Sequence, residues 1–206
     1  MLRKVPFIKP MAPVLAKIPP AGPEWLHEVK FDGWRAQLHV DESQATIFSK
    51  SGADITKRFR SLRAALSEIP CRQAIIDCEL VACGPDGMPC FRTLMNEGND
   101  APLALWAFDI LQLDGVRLMP LPLEDRREHL AQVIAATDSE RIQFSGAFDD
   151  PLQLLKACEK MGLEGIVSKR RGSAYRPGPT RDWLKIKTAA WRAANTKRFE
   201  LLKKRA

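Results

Sequence analysis

Apolar and polar residues alternate through Trp34-Arg35-Ala36-Gln37-Leu38-His39-Val40, stop at the polar run Asp41-Glu42-Ser43-Gln44, and resume at Ala45-Thr46-Ile47-Phe48. A period of two puts every second side chain on one face, so this stretch reads as an antiparallel hairpin with one buried side. The period then lengthens. Ile55, Phe59, Leu62, Leu66 and Ile69 fall at helical spacing with Lys57, Arg58, Arg60 and Arg63 between them. That spacing predicts an amphipathic helix with a basic outer face, ending before Pro70. Residues 74–82 form a buried-looking strand closed by Gly84-Pro85-Asp86-Gly87, and residues 103–113 a second one closed by Asp114-Gly115. Leu130, Val133 and Ile134 share one face of a helix over 123–136. Asp150-Pro151 opens another, an N-cap residue before a first-turn proline. Gly165-Ile166-Val167-Ser168 is a strand, residues 170–182 a loop rich in Gly, Pro, Arg and Ser, and residues 183–187 a last strand. The proline-rich opening, residues 7–23, reads as an extended arm. With no internal repeat and strands mixed irregularly among helices, the pattern predicts an α+β fold rather than a regular βαβ winding.

Composition narrows the setting. The 206 residues suffice for one well-buried core. No apolar run reaches membrane-spanning length, and Met1-Leu2-Arg3-Lys4-Val5-Pro6 carries no secretory stretch, so no membrane partner and a cytoplasmic location are expected. The five cysteines form no C-x-x-C pair, which points away from a disulfide framework or zinc cluster. A net charge of +7 favours a polyanionic partner such as nucleic acid.

The chemistry concentrates at strand ends. Lys30-Phe31-Asp32-Gly33-Trp34-Arg35 reads K-x-D-G-x-R, with Glu28 two positions upstream. A lysine beside an Asp-Gly turn can attack a nucleoside triphosphate at its α-phosphorus; the competing reading is a charged surface hairpin. Asp77 and Glu79 interrupt one buried strand, and Glu164 precedes another that ends at Lys169. Carboxylates there suit a hard divalent cation bridging phosphates, and equally suit pairing with the many arginines. Lys185 and Lys187 point to one face of a strand, where two ammonium groups favour an anion between them, or form a solvated edge. Trp106 and Phe108 are rings for a base or for the core.

Taken together and in order, Lys30-x-Asp32-Gly33-x-Arg35, Ser49-Lys50-Ser51-Gly52, Asp77-Cys78-Glu79, Trp106-Ala107-Phe108-Asp109, Glu164-Gly165-Ile166-Val167-Ser168-Lys169 and Lys185-Ile186-Lys187 resemble the nucleotidyl motifs of the covalent nucleotidyltransferase superfamily. That superfamily comprises ATP-dependent DNA ligases, RNA ligases and mRNA capping enzymes. Lys9-Pro10-Met11, Phe108-Asp109-Ile110-Leu111 and Trp183-Leu184-Lys185 look most like the ligase domain of the bacterial end-joining ligase D. The resemblance implies a nucleotidyltransferase (ATP-grasp-like) domain of two antiparallel β-sheets, flanked by helices around a central nucleotide cleft. It divides the chain into an arm (1–24), an adenylation domain (25–188) and a basic tail (189–206).

It implies roles as well. Lys30 would accept AMP from ATP, with Asp32 orienting its loop or a metal-bound water. Glu28 would select adenine, with Val29 and Lys169 beside it, Phe108 would stack on the ring, and Arg35 with Glu79 would hold the ribose. Glu79 and Glu164 would bind Mg2+ or Mn2+, while Lys50, Lys185 and Lys187 would meet the phosphates. Lys57, Arg58, Arg60, Arg63, Arg170 and Arg171 are candidates for DNA phosphates, with a solvated face as the equal alternative. The implied activity is DNA ligation: a lysyl-AMP intermediate, AMP transfer to the 5′-phosphate of a nick, and sealing in end-joining repair. The chain is expected to be a monomer acting on nicked or broken duplex DNA, with an end-joining protein such as Ku as a partner. The alternatives are an RNA ligase or capping-type guanylyltransferase, and a module that holds adenylate or DNA without turnover.

Two substitutions depart from the motifs: Lys50 stands in place of the usual arginine, and Cys78 in place of the usual glycine, which would bend the backbone if that position required positive φ. The OB-fold that usually follows Lys-x-Lys is also expected to be missing. Residues 189–206, with Arg192, Lys197, Arg198, Lys203, Lys204 and Arg205, read instead as a helical or unstructured basic tail that would call for an OB-fold partner in trans.

Overall fold

The hairpin forms where the alternation predicts it, and it becomes one corner of the larger of two sheets. The computed structural model describes residues 6–42, 44–84, 88–96 and 101–195. Residues 85–87 of one expected turn, and the tail with Lys197, Arg198, Lys203, Lys204 and Arg205, lie outside the described residues. In chain order the strands are β1 (Met11–Leu15), β2 (Trp25–Lys30), β3 (Trp34–Asp41), β4 (Gln44–Ser49), β5 (Gln73–Ala82), β6 (Leu103–Leu113), β7 (Val116–Arg117), β8 (Ile142–Phe144), β9 (Gly165–Arg170) and β10 (Gly178–Lys187). The helices are α1 (Arg63–Ser67), α2 (Phe91–Asn96), α3 (Leu123–Ala135), α4 (Pro151–Lys160) and α5 (Ala189–Ala194).

One sheet has four strands in the order β1-β10-β9-β2; the other has six, running β4-β3-β5-β6-β7 with β8 also on β6. Both are antiparallel through their centres, and each takes one parallel strand, β1 on β10 and β8 on β6. The parallel pairs refine the expectation of purely antiparallel sheets. Asp114 and Gly115 both have positive φ, which is why the two-residue turn from β6 to β7 is written Asp-Gly.

Three apolar clusters hold the layers. Leu38, Ile47, Leu80 and Leu105 of the six-stranded sheet pack against Phe59, Leu62, Leu130 and Ile134. Met11 and Trp183 of the smaller sheet meet Ile75 and Leu111 of the larger one, joining the two. Leu154 and Cys158 of α4 cover Ile166 and Ile186 on the outside of the smaller sheet.

Three segments differ from the sequence expectation. The single helix over 55–69 is a 3-10 segment, Thr56–Leu62, broken at Phe59 (φ −120°, ψ 41°), followed by the short α1. Phe59 leaves helical geometry where its ring buries itself edge-on against Trp34. Part of the arm is β1, an edge strand that tolerates Pro13 because a shift in pairing follows it. The last strand starts at Gly178, five positions before Trp183, because β1 pairs with it from Gly178 onward while β9 joins only at Trp183. Cys78 has no positive φ and is buried with its thiol donating to the Ala36 carbonyl, while the pairing of β5 with β6 shifts register between Asp77 and Cys78.

Candidate active site

β2 delivers Lys30 to the gap between the sheets, and Phe31-Asp32-Gly33 turns the chain into β3. A side chain at position 33 would collide with the Leu80 carbonyl and Val81, so Gly33 is required by close approach to β5. The seat presses the loop onto Glu79, which accepts a hydrogen bond from the Gly33 N–H. Phe31 stacks on Trp106, centroids 4.5 Å apart, holding the loop from the other side.

Glu164 holds two lysines at once. Its Oε2 accepts from Lys30 Nζ at 2.8 Å and its Oε1 from Lys187 Nζ at 2.9 Å. Gly165 follows with φ of 150° against the Ile186 carbonyl, where a larger residue would not fit. Lys30 lines a cavity of about 280 Å³ together with Lys50, Glu79 and Lys185. Lost hydration lowers the Lys185 ammonium below the usual lysine range, helped by Lys30, Lys187 and Lys50. Lost hydration also pushes the Glu79 carboxyl up to about 7, against the pull of Lys30 and Arg35 and with repulsion from Glu164 adding to the rise.

The other end of the cavity is more enclosed. Glu28 is 2% exposed and its carboxylate is fully engaged: Oε1 accepts from Arg127 at 2.5 Å and Lys169 at 2.6 Å, and Oε2 from Ser145 Oγ at 2.9 Å. Lys169 also donates to the Phe108 carbonyl and Arg127 to the Ser145 carbonyl. Burial lowers the Lys169 ammonium, with Glu28 opposing that shift. The Phe108 ring lines the cavity, with Lys169 Nζ 4.6 Å and the Arg35 guanidinium 5.3 Å from its centroid. Val29 lines the same space.

Arg35 makes a two-pronged contact with Asp77, at 3.0 and 2.6 Å, and its charge is held upward by that carboxylate despite burial. Tyr175 completes the cluster by donating to Asp77 at 2.6 Å and accepting from the Met11 N–H at 2.9 Å. Asp77 faces Asp109 across β5 and β6, a like-charge pairing that two arginines neutralise separately. Arg126 of α3 takes Asp109 at 2.8 and 2.9 Å.

The fold therefore gathers Glu28, Val29, Lys30, Arg35, Lys50, Glu79, Phe108, Lys169 and Lys185 around one cavity, with Glu164 and Lys187 reached through Lys30. The basic residues proposed for DNA are not in it. Arg58 lies over the Trp34 ring at 4.5 Å, and Lys57, Arg60 and Arg63 line a separate open groove of about 880 Å³ against β4. Arg170 is exposed, and Arg171 pairs with Asp149 at 3.3 Å. Sequence reasoning missed Arg126, Arg127, Ser145 and Tyr175. A signal existed for the arginines: they fall three and four positions after Leu123 and before Leu130, on the buried stripe of α3. Ser145 and Tyr175 stand in irregular segments with no periodic signal.

Glu79 and Glu164 are the carboxylates suited to a hard cation. Among the described residues no group of three or more metal-binding side chains forms, so such an ion would take its remaining oxygens from phosphate and water. Burial raises Glu79 and the nearby Glu164 charge adds to the rise; a divalent cation would relieve that repulsion, so this donor set fits Mg2+ or Mn2+. Among the described residues no helix is long and apolar enough to cross a membrane.

Known proteins resemble this chain in sequence and in fold. The chain is 35% identical over 191 residues to the multifunctional non-homologous end joining protein LigD of Pseudomonas aeruginosa, covering 89% of this chain and 23% of that protein. A DNA ligase of Methanothrix thermoacetophila is 33% identical over 182 residues, 78% of this chain and 31% of the relative. The chain thus spans about a quarter to a third of the length of these relatives. The ligase domain of M. tuberculosis LigD superimposes with a TM-score of 0.79 at 30% identity, over 87% of this chain and 60% of that one, as does a mycobacterial DNA ligase D complexed with ATP. The model of the ATP dependent DNA ligase domain matches residues 8–187, and the chain belongs to that family.

Proposed function

We propose that this chain is the adenylating unit of an ATP- and Mg2+-dependent DNA ligase. The observation that carries the reading is the course of the cavity from the buried Glu28, Lys169 and Phe108 to Lys30, with Lys30 held by the same Glu164 that holds Lys187. One end suits a flat base with a hydrogen-bonding edge, the other a polyphosphate. Lys30 Nζ gives its ammonium proton to water and attacks the α-phosphorus of ATP; the new P–N bond forms as the bond to pyrophosphate breaks, and pyrophosphate leaves. Lys185 and Lys187 neutralise the charge that builds on the α-phosphate, and Lys50 lies on the same side of the cavity as Lys185. Phe108 carries the base, and Arg35, clamped by Asp77, stands beside it for the ribose. Glu79 and Glu164 would hold the divalent cation, which adds neutralising charge at the phosphates.

The adenylate then passes to a DNA 5′-phosphate, and the neighbouring 3′-hydroxyl displaces AMP to seal the strand. The kinship with proteins named for non-homologous end joining supports end-joining repair as the setting, and we add broken or nicked duplex DNA as the substrate, the cytoplasm as the location and an end-binding protein as a partner. The exposed Lys57, Arg60 and Arg63 are the surface we assign to DNA phosphates.

Incubation with ATP labelled at its α-phosphate, followed by denaturing electrophoresis, tests the proposal. We expect label on the wild type with ATP and not GTP, and none on Lys30→Ala. An unlabelled wild type that also fails to seal a pre-adenylated nick would remove the ligase reading.

A further inference from the structure

α5 starts where β10 ends, and its first turn is fastened twice. Thr188 Oγ1 accepts from the Trp191 N–H at 3.3 Å and donates to the Leu163 carbonyl at 2.9 Å. Glu159 of α4 accepts from the N–H groups of Ala189 and Ala190, each at 2.9 Å. A helix this short has no stability of its own, so these contacts set its direction. That direction returns Trp191 to the nucleophile loop.

Trp191 is 8% exposed and makes two contacts of different kinds. Its indole N–H donates to Asp32 Oδ2 at 3.1 Å, and its ring lies 3.9 Å from Lys187 Nζ. Lys187 in turn holds Glu164, which holds Lys30, and Lys30 stands two positions before Asp32. The contacts therefore close a ring through Lys30, Glu164, Lys187, Trp191 and Asp32. Burial alone would be met by any large apolar side chain. Here the polar edge of the indole meets a carboxylate while its π face meets an ammonium, and each recipient belongs to the reacting end of the cavity.

We infer that Trp191 is a positioning residue for nucleotidyl transfer, fixing the nucleophile loop through Asp32 and the Lys187 ammonium through its ring. The inference rests on the adenylation reading above. It makes α5 part of the machinery of the phosphate end rather than a trailing segment.

The test compares wild type, Trp191→Phe, Trp191→Leu, Asp32→Ala and the Asp32→Ala/Trp191→Phe pair in the full chain. The rate of covalent labelling is followed as ATP concentration is varied. Phenylalanine keeps the ring face and loses the N–H, so the maximal labelling rate should fall about tenfold, with half-saturating ATP and the thermal midpoint little changed. Leucine loses both contacts and should cost about a hundredfold. If Trp191→Leu does not fold, Trp191→Phe carries the test. In the Asp32→Ala background the phenylalanine substitution should cost less than about twofold, because the acceptor of the indole N–H is already gone. A wild-type rate for Trp191→Phe, or the same loss in both backgrounds, overturns the positioning role and leaves adenylation standing. A wild type that takes no label overturns both.

Discussion

The two ends of the cavity handle charge in opposite ways. Around Glu28 every prong is engaged: two buried cations and a hydroxyl share one carboxylate, and the spare donors of both cations end on backbone carbonyls. Around Lys30 four lysines gather near two carboxylates, more exposed to water, and one of those carboxylates is pushed up to about 7. The first end is finished before any ligand arrives. The second carries an excess of positive charge that a triphosphate and a cation would balance. On the proposed reading, the fully satisfied charges lie at the end assigned to the base and the unbalanced ones at the end where charge would change during the reaction.

Breaking the reactive end should have the largest effect on chemistry. Glu164→Gln frees Lys30 and Lys187 together, and labelling with ATP should fall by about a hundredfold or more, while the urea unfolding midpoint changes little because both lysines retain access to water. A stability loss as large as that of the buried end would erase the distinction drawn here. Glu28→Gln leaves Arg127 and Lys169 buried against a neutral amide, and should lower unfolding free energy by about 3–5 kcal/mol in chemical denaturation. Arg127→Met is gentler, since Lys169 still neutralises Glu28. We expect about 2 kcal/mol of lost stability and a several-fold rise in half-saturating ATP; unchanged ATP dependence would remove Arg127 from the base end.

The smallest effect lies in pH. His27, beside Glu28 on β2, is fully buried with Nδ1 2.8 Å from Ser168 Oγ, and burial lowers its pKa below the ordinary 6.5. As pH falls through 6.5 the unfolded chain takes up this proton before the folded chain does. Stability should therefore decline on the acid side, by at most about 1.4 kcal/mol per pH unit for this group. Unfolding midpoints at pH 5.5 and 7.5 for wild type and His27→Gln measure it, and equal slopes in the two proteins would assign the dependence elsewhere.

Much of this was legible in the sequence, for identifiable reasons. Lys30, Glu79, Glu164, Lys185 and Lys187 stand on or beside strands whose alternation fixes which face each occupies, so their convergence follows once the strands pair. The apolar stripe of α3 marks Arg127 as facing inward, yet its partner lies 99 positions away and that of Trp191 159 positions away, so no local pattern names either contact. Arg35 and Asp77 show the intermediate case: both were noted, and their bidentate contact appears only with the register that sets β3 against β5. The break at Phe59 escaped the periodic pattern because the apolar residues continue at helical spacing through it, while burial of its ring overrides the local preference.

The pairing order of the four-stranded sheet has a consequence for how the molecule is made. β1 and β2 come early in the chain, yet β1 bonds to β10 and β2 to β9, both near the end of the described residues. The neighbouring six-stranded sheet is built largely from strands close in sequence, beginning with the β3–β4 hairpin. Sequence separation slows pairing through the entropy of loop closure, so on synthesis the larger sheet can assemble while the strand bearing Lys30 still waits for its partners. A ribosome-bound chain stopped before residue 165 would hold Lys30, Glu28 and Phe108 but lack Lys169, Trp183 and Lys185 of the same cavity. The surroundings of Lys30 are therefore completed only once β9 and β10 have been made, well after the strand that bears the lysine itself.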